Sequence, residues 1–145
     1  MKVSLRVAWF VIVWLELTNV EAEELAIERQ HLISEPGPVM SKCVIHGNMV
    51  YTAGITASDL LGDVSAQMRE VLDTVDGLLA DAGTDKFKIL TAQVWLSDMA
   101  LFQDMNAVWN AWVDSENPPS RACVSGDLYC PEALVEVVVT AVVKD

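Results

Sequence analysis

The sequence predicts an α+β domain in which two amphipathic helices pack on one face of a mixed, six-stranded sheet. Three observations point there. Apolar residues recur at threes and fours in two separate stretches, the period of a helix buried on one side. Around and between them lie short runs of β-branched and apolar residues bounded by turn signals. The last run, LVEVVVTAVV from Leu134 to Val143, is apolar on both of its alternating sides, and a strand covered on only one face would alternate.

Taken in order, a short first strand lies near His31 to Ser34. From Lys42 to Ala53 the text KCVIHGNMVYTA holds two β-rich segments around His46-Gly47-Asn48, and Gly-Asn is a hairpin signal. The stretch TASDLLGDVSAQMREVLDTVDGLLADAG then places Val64, Met68, Val71, Leu72, Val75, Leu78, Leu79 and Ala82 on one helical face. Asp63 is positioned to accept the free N–H groups of its first turn and Gly83 to close it with left-handed backbone, giving a helix of about five turns. A strand follows at Ile89 to Leu96. Met105, Val108, Trp109 and Trp112 stand at i, i+3, i+4 and i+7 of a second helix, with the tryptophans read as core or interface filling. Asn117-Pro118-Pro119 is expected to end that helix, since proline lacks an N–H and disfavours helical backbone before it. Ser120 to Ser125 forms the next strand, GDLYCPEA a loop, and Leu134 to Val143 the last strand. Two helices cover one sheet face only, so another copy of the chain is expected to cover the other, making a homo-oligomer.

A chain of 145 residues has room for one compact domain with a real core. Nine Lys and Arg against 21 Asp and Glu leave a formal charge of −12, a field that repels phosphate backbones and disfavours nucleic acid as a partner. An anionic small molecule would need a local basic residue, and Arg121 is the obvious one. Cys43, Cys123 and Cys130 form no CxxC and have no histidine at ligand spacing, so neither a metal site nor a disulfide framework is indicated. His31 and His46 are fifteen positions apart, with no Ser or Cys motif beside them.

Residues 1–25 are a different kind of text. Lys2 and Arg6 precede an apolar run from Val7 to Leu15, and Val20-Glu21-Ala22 supplies a small-x-small pattern, the three parts of a secretory signal. The run is short for a bilayer and Glu16 interrupts it, so no permanent membrane anchor is expected. Two readings stand: a cleaved signal ending near Ala22, or an upstream extension translated from a wrongly assigned start, the single domain occupying residues 26–145 in either case. A cytoplasmic location is expected on the second reading and a periplasmic or secreted one on the first.

Arg121 and Glu136 interrupt what otherwise read as two buried strands, and an unpaired charge in an apolar interior is costly. Either the two pair, or something else binds them. A turn near Tyr129 would make the two strands a hairpin and bring Arg121 and Glu136 within a residue or so of each other across the ladder.

The segments VYTAGIT (Val50 to Thr56), DVSAQMREVLDTVDGLLADAG (Asp63 to Gly83), FQDMNAVWNAWV (Phe102 to Val113) and PPSRACV with LVEV (Pro118 to Val137) resemble the reactive intermediate deaminase family, the RidA/YjgF group, over roughly residues 27 to 143. The specific motif is Pro-x-Arg-x-Cys-Val with a Glu fifteen residues after the Arg. The resemblance implies a chorismate-mutase-like (YjgF-like) fold, a homotrimer with sheets facing inward, and clefts between subunits. It also implies a deaminase that hydrolyses 2-imino or enamine acids to 2-keto acids and ammonia without metal or organic cofactor. Carried over by position, Arg121 grips the substrate carboxylate, for which a planar guanidinium is suited. Cys123 presents its backbone carbonyl to the imine or the attacking water, and Glu136 orients or activates that water. Gly54 lets backbone approach the ligand closely, and Asn106 lines the cleft. Where many members carry an aromatic hydroxyl in the first strand, this sequence has Met40 and Ser41, and where they carry Ser before the glycine it has Ala53. A non-catalytic small carboxylic-acid binding protein on the same cleft is the alternative. An RNA-cleaving or translation-inhibiting role, attributed to some relatives, is disfavoured by the charge.

Overall fold

The computed structural model describes residues 26–143. The readings made on residues 1–25 lie outside the described residues. Strands β1 (Ile27–Ile33), β2 (Met40–His46), β3 (Met49–Thr52) and β4 (Ile55–Thr56) precede helix α1 (Val64–Asp81). Strand β5 (Ile89–Leu96), helix α2 (Phe102–Trp112) and strands β6 (Ser120–Ser125) and β7 (Val135–Val142) follow. The sheet has seven strands rather than six, in the order β1-β2-β3-β7-β5-β6, with two-residue β4 pairing β7 beyond the end of β3. It is mixed, because β5 and β6 run parallel while the other pairs are antiparallel.

Local chemistry accounts for most boundaries. Gly47 at φ 60° takes the first central position of the two-residue β2–β3 turn, a conformation that suits a residue without Cβ. The Asp63 carboxylate accepts from the Ala66 N–H at 2.8 Å, capping α1. At the other end Gly83, at φ 77°, donates to Ala80 O while Thr84 N reaches Leu79 O, the paired bonds of a Schellman close. Helix α2 ends at Trp112, not at Asn117-Pro118-Pro119: Val113 is already extended, and the Asp114 carboxylate takes the Glu116 N–H and the Asn117 amide instead.

The core lies between the helices and one sheet face. Val135, Val137, Val139 and Ala141 of β7 and Ala92, Val94 and Leu96 of β5 are buried with Met68, Val71, Leu72, Val75 and Leu79 of α1 and Met105 and Trp109 of α2. The alternate residues of β7 (Glu136, Val138, Thr140, Val142) are only half-buried, and Tyr51, Trp95 and Val124 on the same face are exposed. Both faces of this strand are largely apolar, and a single chain covers one.

Two side chains shape what surrounds the site. Thr52 is buried, and its hydroxyl accepts the Val139 N–H at 2.9 Å, so a side chain fills the ladder where β3 stops and residues 53–54 step out of it before β4. Gln67 in the first turn of α1 is buried; its amide donates to Glu132 O and accepts from Leu134 N, both at 2.9 Å, pinning the loop between β6 and β7.

Candidate active site

Arg121 lies on β6 opposite Ala92 of β5, and Ala92 lies opposite the buried Val139 of β7. Residues paired across a ladder share a face, so Arg121 points to the helix side. There its Nη2 donates to Asn106 Oδ1 at 2.7 Å, and its guanidinium carbon stands 5.0 Å from the centre of the Trp109 ring. Asn106 and Trp109 are three apart on α2 and so present one surface to the arginine. Nη1 is buried and has no hydrogen-bond partner among the described residues. Cys123 is two places further along the same strand and on the same face, opposite Val94. Burial pushes its thiol up from the ordinary value, outweighing the opposite pull of Arg121. A neutral thiol is a poor nucleophile.

Glu136 lies elsewhere. It is opposite Trp95 on β5 and Thr56 on β4, three residues before Val139 and therefore on the sheet face away from the helices. The hairpin expected between the strands of Arg121 and Glu136 does not form, because β5 lies between β6 and β7. The two charges do not pair with each other; they stand on opposite faces of the sheet. Glu136 is instead brought to Gly54: a Cβ there would overlap Glu136 Oε1 and lie 2.7 Å from its Cδ, so only glycine leaves the carboxylate its place.

The five residues singled out in the sequence thus form two groups, Arg121 with Asn106 and Cys123, and Gly54 with Glu136. Beside the second group opens a cleft of about 340 Å³, lined by Gly54, Met40, Lys42, Thr56, Thr74 and Tyr129 among others. Cys130 beside it is the main reason that the Tyr129 phenol is pushed up from its ordinary value. Trp109 as the floor beneath Arg121 and Tyr129 as a wall of this cleft were not found from the sequence. The spacing of Asn106 and Trp109 on one helix face would have pointed to the first. Nothing local points to the second, since the path of the β6–β7 loop is set by Gln67 from a distant helix.

Comparison with known proteins adds a family. Residues 34–143 match the family model described as Endoribonuclease L-PSP. A RutC family protein of Haemophilus influenzae is 40% identical over 107 residues, covering 73% of this chain and 92% of that protein. The 3-aminoacrylate deaminase RutC of Acinetobacter baylyi is 33% identical over 96 residues, 62% of this chain and 75% of that one. Among solved structures, a member of the YjgF protein family from Neisseria meningitidis superposes with a TM-score of 0.76 at 33% identity, covering 84% of this chain and 98% of the other.

Proposed function

Because the chain belongs to the Endoribonuclease L-PSP family, the RidA/YjgF group, we propose that it is a deaminase that hydrolyses 2-imino or enamine acids to 2-keto acids and ammonia at a cleft between subunits of a homotrimer. The observation that carries this reading is the orphaned arm of Arg121. One side of the guanidinium is fixed by Asn106 and its face rests on Trp109, while buried Nη1 has no acceptor among the described residues. A buried charged donor without a partner is costly, and a substrate carboxylate would complete it with charge-assisted hydrogen bonds. The likeness to a 3-aminoacrylate deaminase supports the same chemistry.

Arg121 and Glu136 stand on opposite faces of one sheet, so a single chain cannot present both to one small molecule. A second copy whose Glu136 face meets the β6 edge of the first supplies the missing half, and covers the apolar strand face as well. In the assembled site Arg121 and Asn106 of one copy hold the carboxylate, and Glu136 beside Gly54 of its neighbour holds a water and takes its proton. The water oxygen bonds to the electrophilic carbon of the protonated imine as the C=N π pair moves to nitrogen. Glu136 then returns the proton to that nitrogen, the C–N bond breaks as the adduct's oxygen forms the C=O bond, and the hydroxyl proton leaves with ammonia as ammonium. Cys123 contributes through its backbone: β6 is an edge strand, and alternate carbonyls of an edge strand face away from its neighbour. The reaction needs no nucleophilic side chain and no cofactor.

Keto-acid release from 2-imino acids generated in situ by an amino-acid oxidase tests the reading. Wild type is expected to exceed the spontaneous rate and Arg121→Ala to fall to it. If wild type does not exceed that rate, the deaminase reading fails, and a thermal shift with 2-keto acids that is lost in Arg121→Ala would mark a carboxylic-acid binding protein instead.

A further inference from the structure

We infer that the preferred substrates carry a second carboxylate in the side chain, and that the cleft beside Gly54 receives it with Lys42. The inference rests on the deaminase reading for the reaction and on the cleft itself for the preference. Lys42 is the one cationic residue in the lining; around it stand the hydroxyls of Thr56, Ser58 and Tyr129, and Thr74, whose own hydroxyl donates to Glu70 O at 2.9 Å. The side chain of Lys42 is half-buried and has no carboxylate within ion-pair distance among the described residues, although acids outnumber bases 21 to 9 in this chain. Asp81, in the pocket adjoining through Lys42 and Thr74, is taken by His31 at 3.0 Å. The walls are held in place: the Ser58 N–H donates to the Glu70 carboxylate at 2.7 Å, and the loop bearing Tyr129 is pinned by Gln67.

Filling this space with an alkyl side chain would expel water from several hydroxyls and an ammonium without giving them an acceptor, which is unfavourable. A carboxylate is an acceptor only, and its oxygens can take the ammonium and neighbouring hydroxyls together. At about 340 Å³ the cleft is at the small end of ligand sites, a size suited to a short acidic side chain. Its place is next to Gly54, where the α-imino group must lie if Glu136 is to hold the attacking water. The substrate class is therefore that of 2-imino dicarboxylic acids, the products of oxidising acidic amino acids.

The test compares kcat/KM for the imine of glutamate with that of norvaline, an alkyl counterpart of similar length, in wild type, Lys42→Met and Tyr129→Phe. The expected result is a preference for the dicarboxylate of about ten-fold or more, which Lys42→Met abolishes through KM and Tyr129→Phe reduces. Equal use of both imines by wild type, or a ratio unchanged in Lys42→Met, overturns the inference while leaving the deaminase reading standing. Should neither imine be hydrolysed, the deaminase reading fails, and calorimetric binding of 2-oxoglutarate against 2-oxopentanoate decides the inference: a Lys42-dependent preference for the diacid supports it, and equal affinity overturns it.

Discussion

Arg121 is the residue whose surroundings say most. It has a ring beneath it, an amide on one arm and, among the described residues, no partner on the other, and the planar fork rather than the charge alone is what those contacts use. Arg121→Lys should therefore not rescue: kcat/KM for imine hydrolysis is expected to fall about ten-fold or more, since a hydrogen bond to a charged group is worth about 1.5–3 kcal/mol. Gly54→Ala probes the other half of the site. The new Cβ displaces the Glu136 carboxylate, so activity should fall about a hundred-fold, toward that of a Glu136→Gln variant, within the range typical of losing a positioned base, while carboxylate binding measured by thermal shift is retained. Cys43 makes a pH prediction. Its thiol is buried in the core, and burial, then Glu28 and Asp81, push it above its usual value of 9.0. The raised value means that the folded state keeps a proton the unfolded chain gives up. That contribution is complete below the unfolded pKa and is lost as pH rises through the folded one. Urea denaturation from neutral pH to above pH 9.0 should show stability falling at the alkaline end in wild type, and falling less steeply in Cys43→Ala.

Elements explain which expectations held. Helix α1 was legible from end to end, because its apolar period, its Asp63 cap and its Gly83 close all belong to neighbouring residues. Strands β5 and β6 begin and end at the residues expected of them. The hairpin was not legible. Nine residues, 126–134, join β6 to β7, enough chain to step over β5, and no turn signal states which strand lies alongside. The end of α2 was placed late for a related reason: the prolines forbid a helix at 117–119, but Asp114 offers its carboxylate to the backbone first. Gln67 shows what a helix can do for a distant loop. Replacing it by Leu keeps the volume but leaves the Leu134 N–H without its acceptor, and the expected cost is about 1–3 kcal/mol in urea denaturation. The same variant should expose the β6–β7 loop to faster amide exchange without altering the middle of α1.

On the proposed reading the whole molecule is incomplete as a single chain. One face of the sheet keeps Tyr51, Trp95, Val124 and Val138 in partial contact with solvent, and the proposed site has one half there and the other on the helix side. Sedimentation should give the mass of three protomers. Val138→Lys, at the middle of the open face of β7 and opposite Gln93, should leave a folded monomer by circular dichroism that has lost imine hydrolysis altogether, because no copy then meets the Glu136 of another. If the variant hydrolyses imines as a monomer, the shared cleft is wrong. Among the described residues no helix is long and apolar enough to cross a membrane.

Apart from Gly54, Asn106 and Cys123, which the likeness to the family singled out, the sequence by itself determined much of the composition of the fold: two helices with their apolar faces, the caps of α1, most of the strands, the acidic field, and the two charges Arg121 and Glu136 set in apolar strands. Those are consequences of local chemistry and period, which a short window of residues contains. Only the tertiary structure decided that β5 separates Arg121 from Glu136, that Asn106 holds one arm of the guanidinium over the Trp109 ring, and that Lys42 and Tyr129 line one cleft with Gly54. Strand order and face are set by long-range burial of apolar residues against α1 and α2. That is a property of the packed chain as a whole, and no interval along the sequence records it.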